Sequence, residues 1–304
     1  MQKGRIVIAG GSGFLGLMLS RALVSRGYDT VILSRSPSDD TENIKQVAWD
    51  GKTVGDWGAY LKGAEAVVNL TGKSVNCRYT PKNRREIVES RVNSVNAIAA
   101  AMSRCASPPR TWIQAGSLAI YGDAGDDTCD ECSSPGAGFS ADTCKQWEEA
   151  FAAADSPQTR KVLFRIGLAL GREGPLLATL SRLTKCFLGG AAGRGRQYIS
   201  WLHIHDLNQM FVWAIERPDL VGTFNATGPC PVTNSDFMRA LRSGVNRPWT
   251  PSVPSWAIRI GARLIGTEAE LILTSRKCFP RRLAEIGFSF RFPHLDQALS
   301  DLFP

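Results

Sequence analysis

The chain reads as an α/β protein with a parallel sheet wound by helices on both faces. Two observations predict this. Over the first 170 residues, short apolar runs rich in Val and Ile alternate with stretches of helical periodicity, the pattern of parallel strands joined by crossover helices. The first run, RIVIAG, also leads directly into a glycine-spaced turn, GGSGFLG, that opens a helical pattern.

RIVIAG (5–10) is the first strand. In GFLGLMLSRALVSRG (13–27), apolar residues at 14, 15, 18, 19, 22 and 23 follow helical spacing, and Gly27 suits the C-terminal cap. DTVILSR (29–35) is the second strand. AEAVVNLTG, TWIQAGS and KVLFRIGLALG continue the set. Between them, PKNRREIVESRVNSVNAIAAAMSR and SADTCKQWEEAFAAA are helical by period. The last third differs, with the Gly- and Pro-rich segments FLGGAAGRGRQ, ATGPCPVT and NRPWTPSVPSW between short elements. A soft boundary falls near residue 172. Residues 1–172 form the nucleotide-binding unit; residues 173–304 form a smaller α/β C-terminal substrate-side region that partly returns to the main sheet.

Composition narrows the function classes. With 304 residues, 43% hydrophobic and 21% charged, the chain can build a large core. The apolar run at the start stops at Gly10–Gly11, and Ala257–Ile265 contains Arg259 and Arg263, so neither can span a bilayer. A cytoplasmic protein with no membrane partner is expected. The net charge is +8, but the cations are scattered in clusters such as KNRRE and PRRLAE, with no nucleic-acid-binding motif. This favours an anionic cofactor or substrate over a specific nucleic acid. Of the eight cysteines, only Cys129 and Cys132 form a C-x-x-C, without the second pair a zinc site needs.

In the turn, Gly10, Gly13 and Gly16 have separate duties. The first allows a tight bend, the second lets backbone approach a pyrophosphate, and the third lets the helix pack close to the sheet. The N–H groups of Ser12, Gly13, Phe14, Leu15 and Gly16 then face the phosphates at the positive end of the helix. This is the Rossmann arrangement. The second strand ends in Leu33-Ser34-Arg35, without the Asp or Glu that would bind a ribose 2′-hydroxyl. A guanidinium and a hydroxyl suit a 2′-phosphate, which points to NADP (NADPH) over NAD.

The glycine spacing, VVNLTG and GSLAIYG together resemble the extended branch of the short-chain dehydrogenase/reductase superfamily. RIGLALGREGPLL, GRGRQYISWLHIHDL, GTFNATGPCPVTNSDFMRAL and FPRRLAEIGFSFRFPHLDQAL resemble, nearly end to end, its NAD(P)-dependent epimerase/dehydratase-like, sugar-nucleotide epimerase-like subfamily with a conserved C-terminal domain. The resemblance implies that Leu70, Thr71 and Gly72 line the adenine and ribose side. It also implies that Glu86 and Arg91 contact the cofactor, although five residues of helix set them roughly 140° apart. It implies a polar carbonyl or alcohol substrate, such as a nucleotide sugar, and a homodimer.

That superfamily moves protons with a Ser and a Tyr-x-x-x-Lys pair, the Lys lowering the Tyr pKa. Ser117 and Lys145 match, but Ala141 stands where the tyrosine belongs. Tyr121, four residues after Ser117, is one candidate replacement acid; Cys144 is another. Otherwise the chain transfers hydride with water as acid, or it is a non-catalytic NADP(H)-binding sensor or regulator. His203 and His205 alternate in ISWLHIHDL as on one face of a strand, with Asp206 capping the next helix. Without a third ligand they do not make a metal site. Arg194 and Arg196, on a glycine-rich loop, suit a substrate phosphate. Trp147 and Glu148 read as packing residues.

Overall fold

The computed structural model describes residues 3–40 and 43–303. The first half builds strands β1 (Arg5–Ala9), β2 (Asp29–Ser34), β3 (Ile44–Ala48), β4 (Ala66–Asn69) and β5 (Thr111–Ser117), with helices α1 (Phe14–Val24) and α2 (Pro81–Ser103). Then come β6 (Thr128–Cys129), α3 (Phe139–Ala153), β7 (Arg160–Ile166), β8 (Leu168–Leu170), α4 (Pro175–Lys185), β9 (Tyr198–Ile199), β10 (Trp201–His203), α5 (Ile204–Glu216) and β11 (Gly222–Ala226). The chain ends with β12 (Val232–Thr233), α6 (Asn234–Gly244), α7 (Ser255–Leu264), α8 (Glu270–Leu273), β13 (Lys277–Cys278), α9 (Arg281–Glu285) and α10 (Leu295–Leu302).

Seven strands form one sheet in the order β11-β7-β5-β4-β1-β2-β3, and every pairing is parallel. Ile6, Val7 and Ile8 are fully buried, as expected where helices cover both faces of a sheet. The strand order reverses at β1, between β2 and β4. The crevice beyond the carboxyl ends of these strands is where such folds take their ligand.

Local chemistry sets the helix limits. Gly27 takes φ +84° and Tyr28 N–H donates to Leu23 O at 3.2 Å, closing α1. Thr80 caps α2 by accepting from Asn83 N–H at 3.2 Å, with Pro81 in the first turn. A second core around Leu170, Trp201, Phe237 and Leu299 holds the C-terminal region together. That region also supplies the edge strand β11, and Asn208 of α5 donates to Met18 O of α1 at 3.3 Å.

Three local readings change, and one strand is new. KVLFRIGLALG is not one strand: it divides at Gly167, where a Cβ would lie 2.6 Å from Ser200 O. Beyond it, β8 leaves the main sheet to pair with β10. The short β3, IKQVA, joins the sheet as a partly exposed edge. In ISWLHIHDL the strand ends at His203, so the two histidines do not share a strand face. His203 caps α5, its Nδ1 accepting from His205 N–H at 3.1 Å. Asp206 is no cap either; it is buried and accepts from Arg291 N–H at 2.9 Å and Phe292 N–H at 3.0 Å.

Candidate functional site

The glycine turn sits at the end of β1. Gly10 has φ +73°, and its N–H donates to Leu33 O at 2.9 Å, tying the turn to β2. A Cβ there would lie 2.9 Å from the Thr71 Cα, so the chain after β4 passes directly against it. Gly16 is tighter: its Cβ would meet the Gly11 backbone at 2.4–2.6 Å, which lets α1 press onto the turn. Gly13 differs from both. A Cβ there would meet only Gly10 O, at 3.8 Å. Space is thus kept open where a pyrophosphate needs to approach. Gly13 also caps α1 without any side-chain acceptor, so the first-turn N–H groups have no capping side chain. Phe14 turns its ring toward Gly171 and Gly174 ahead of α4. Leu15 leans on the core. These two residues can therefore offer a ligand only their backbone N–H groups.

The next wall is polar. The Ser34 hydroxyl donates to Ser12 Oγ at 2.9 Å and accepts from Ser36 N–H at 3.2 Å. Arg35 is exposed and has no carboxylate partner among the described residues. Opposite, Thr71 N–H donates to Asn69 Oδ1 at 3.0 Å, and Asn69 Nδ2 is held by Ser94 and Gln114 at 3.1 and 3.0 Å. The Thr71 hydroxyl is buried without a partner, a cost that a bound ligand offsets. Leu70 is half-buried beside it. The open position at Gly13, the uncapped helix end and the orphaned hydroxyl together fit a dinucleotide.

Arg91 and Glu86 have unequal settings. The Arg91 guanidinium packs where a Gly72 side chain would be, its Cζ 3.1 Å from that Cβ position. It donates to Lys73 O at 3.1 Å and Ile87 O at 2.9 Å and lies over the Trp147 ring at 5.0 Å. Burial pulls its pKa down. Glu86 is instead committed to an ion pair with Lys73, with Lys82 3.9 Å away. The Lys73 hydrogen bond holds its carboxyl below the usual range.

The candidate proton-transfer residues each have local partners. Ser117 ends β5 half-buried, its Oγ accepting from Ala119 N–H at 3.1 Å. Lys145, on α3, reaches Asp142 Oδ1 one turn back at 3.0 Å. Ala141 is 0% exposed. Tyr121 is held in an internal network. Its hydroxyl lies 2.7 Å from Asp130 O and 2.8 Å from Asn225 Oδ1, and accepts from Arg165 Nη1 at 2.9 Å. Burial pushes its pKa up to about 12 against the pull of Arg165. Its proton therefore belongs to an internal network. Cys144 is buried beside Cys129 and Cys278, and burial raises its thiol to about 11.

Arg165 anchors that network through two hydrogen bonds to Glu148, at 2.9 and 2.8 Å. Glu148 is thus a half-buried ion-pair partner, and Trp147 a platform for Arg91. Asn69 and Arg276 were not visible as site residues in the sequence; their partners lie far along the chain. Arg276 is half-buried, donates through Nε to Gly122 O at 2.9 Å, and has no carboxylate partner among the described residues. Arg194 and Arg196 are exposed around Gly195, which takes φ +66°.

Comparison with known proteins accords with this geometry. The NAD dependent epimerase/dehydratase family matches residues 6–226, and a domain of unknown function (DUF1731) matches 253–302. An epimerase family protein of Mycobacterium tuberculosis is 33% identical over 97% of this chain and 96% of its own length. The bovine epimerase family protein SDR39U1 is 30% identical over 98% and 99%. The crystal structure of human SDR39U1 with NADPH aligns with a TM-score of 0.88 at 27% identity, covering 98% of each chain. A nucleoside-diphosphate sugar epimerase from Corynebacterium glutamicum aligns at 0.79 and 27%, over 99% of this chain and 58% of that one. With its glycine turn, its strand order and these matches across nearly its whole length, the chain belongs to the NAD-dependent epimerase/dehydratase family.

Proposed function

We propose that the protein is an NADPH-dependent oxidoreductase that reduces a polar carbonyl compound, a keto form of a nucleotide sugar being the class that fits best. The observation that carries the reading is an intact dinucleotide cradle in a chain that keeps Ser117 and Lys145 while the buried Ala141 stands where the tyrosine belongs. The human relative is named with NADPH, and here Ser34 and Arg35 close the second strand without an acid. Gly13 and the first turn of α1 hold the pyrophosphate, Ser34 and Arg35 the 2′-phosphate, and Thr71 and Gly72 the adenosine side. NADPH supplies a hydride to an electrophilic carbon.

The chain's own residues do the rest. The Ser117 hydroxyl donates to the substrate oxygen and fixes its orientation. The Lys145 ammonium faces the negative charge that gathers on that oxygen, and water supplies the proton that Ala141 cannot. An epimerase must also remove a hydroxyl proton, for which this site holds no base; a reductase need not. An anionic substrate is supported by Arg91 and Arg276, half-buried guanidiniums without a carboxylate partner among the described residues, and by exposed Arg194 and Arg196.

The test follows NADPH consumption with nucleoside-diphosphate keto sugars and simpler keto compounds. Consumption abolished by Ser117→Ala, with NADPH binding retained, supports the reading. No consumption in any case, with tight NADPH binding, favours the sensor or regulator, for which the buried Ala141 and the locked Tyr121 are the supporting observations.

A further inference from the structure

The surface of the C-terminal region is unlike the rest of the molecule. Residues 174–205 and 237–267 contain no Asp or Glu, while the exposed Arg182, Lys185, Arg247, Arg259 and Arg263 lie within them. The same two stretches carry most of the large exposed apolar side chains. Trp249 is 76% exposed, Trp256 67% and Leu264 82%, with Phe187, Leu188 and Ile260 each more than half exposed.

The two stretches are joined, and α7 presents an apolar stripe to solvent. On α7, Trp256, Ile260 and Leu264 recur every four residues on a single outward stripe, with Arg259 and Arg263 beside it. Ile258 and Ala262 bury the opposite side. The end of α4 is fastened to the chain before α7. Arg247 donates to Lys185 O at 3.2 Å and lies over the Phe187 ring at 5.3 Å, and Arg242 donates to Gly189 O at 2.8 Å. Val253 then pairs with 191–193 through two hydrogen bonds of 2.8 Å.

We infer that this face docks on the surface of an anionic lipid bilayer, with α7 lying in the plane of the headgroups. An interfacial helix combines Trp and aliphatic residues on one side with Arg at its margin, and it binds through both buried apolar area and attraction to anionic lipid. No helix among the described residues is long and apolar enough to cross a membrane; the contact is peripheral. Charge selects this occupant. A second copy docked through the same patch would face one cationic surface with another, with no Asp or Glu in these stretches to pair the arginines. Nucleic acid would use the arginines but would leave Ile260 and Leu264 against phosphates and water.

The full-length protein is sedimented with phosphatidylcholine vesicles, with and without phosphatidylglycerol, while tryptophan emission is recorded. Binding only to the anionic vesicles is expected, weakened by salt, with a blue shift from Trp249 and Trp256. Ile260→Asp and the pair Arg259→Glu/Arg263→Glu should each weaken it about tenfold or more, since each removes one of the two attractions. NADPH binding reports that these surface variants remain folded. Three outcomes overturn the inference: no vesicle binding, equal binding to both lipids, or a dimer that Ile260→Asp dissociates in place of lipid binding.

Discussion

Alanine at Gly13 and at Gly16 should have opposite consequences, although the two glycines stand three residues apart in one turn. At Gly13 the backbone has φ −80°, which alanine adopts freely, and the new Cβ would meet nothing closer than 3.8 Å. Fewer unfolded conformations gain about 0.4–1 kcal/mol, and a poorer helix cap loses a similar amount. The thermal midpoint should hardly move. The methyl group would, however, stand where the pyrophosphate approaches, and NADPH affinity should fall at least about tenfold, or ~1.4 kcal/mol. At Gly16 the Cβ would lie 2.4 Å from the Gly11 Cα. Helix α1 must then move off the turn, at a cost of about 1–3 kcal/mol and roughly 2–10 °C in Tm. Thermal melts with and without NADPH, together with fluorescence titration, separate the two effects. A Gly13→Ala protein that binds NADPH like the parent would refute the assignment of that turn to the pyrophosphate.

Four further outcomes follow from the same geometry. Arg35→Ala should lower NADPH affinity by about 10–100-fold, the worth of a charge-assisted contact, and leave NADH unchanged; parallel titrations check it. Tyr121→Phe strands Arg165, Asn225 and the Asp130 carbonyl, costing about 1–3 kcal/mol. Urea melts should show that loss, while a lost turnover at unchanged stability would return Tyr121 to catalysis. Glu148→Gln breaks the ion pair with Arg165, whose side chains are 11% and 16% exposed, and should cost about 3–5 kcal/mol in the same melts. Burial lowers the His203 pKa below its ordinary 6.5 despite Asp301. The unfolded chain then takes up a proton first, so stability is complete above 6.5 and declines as pH falls below it. His203→Asn, which retains a capping side chain, should flatten that slope in urea midpoints measured against pH.

What the sequence revealed, and what it hid, follows from the range of the interactions involved. The glycine turn and its flanking elements were legible because each depends on neighbours within one turn. The helix limit at Gly27 was local as well. The break at Gly167 was hidden because its cause is Ser200 O, a carbonyl on a later strand. Strand β3 lacked the long apolar run of its neighbours because it is an edge. Tyr121 looked available four residues from Ser117, yet the group that claims its hydroxyl, Asn225, lies 104 residues away. The histidines were misread because His203 ends its strand by becoming a helix cap. The absence of a tyrosine at 141 was fully legible; that Tyr121 and Cys144 are both buried needed the folded chain.

The position of β11 bears on how the protein is made. A ribosome delivers β1 through β7 first, and at that stage β7 has a bare edge of backbone N–H and C=O groups lined with apolar side chains. The strand that closes it, Gly222–Ala226, is synthesised only after α4, β8, β9, β10 and α5. At ordinary elongation rates of about 5–20 residues per second, this edge waits seconds for its partner. A nascent chain stalled or cut in that interval presents a ready template for pairing with another strand. The half of the molecule that carries the glycine turn therefore depends on the C-terminal half for protection against aggregation during synthesis.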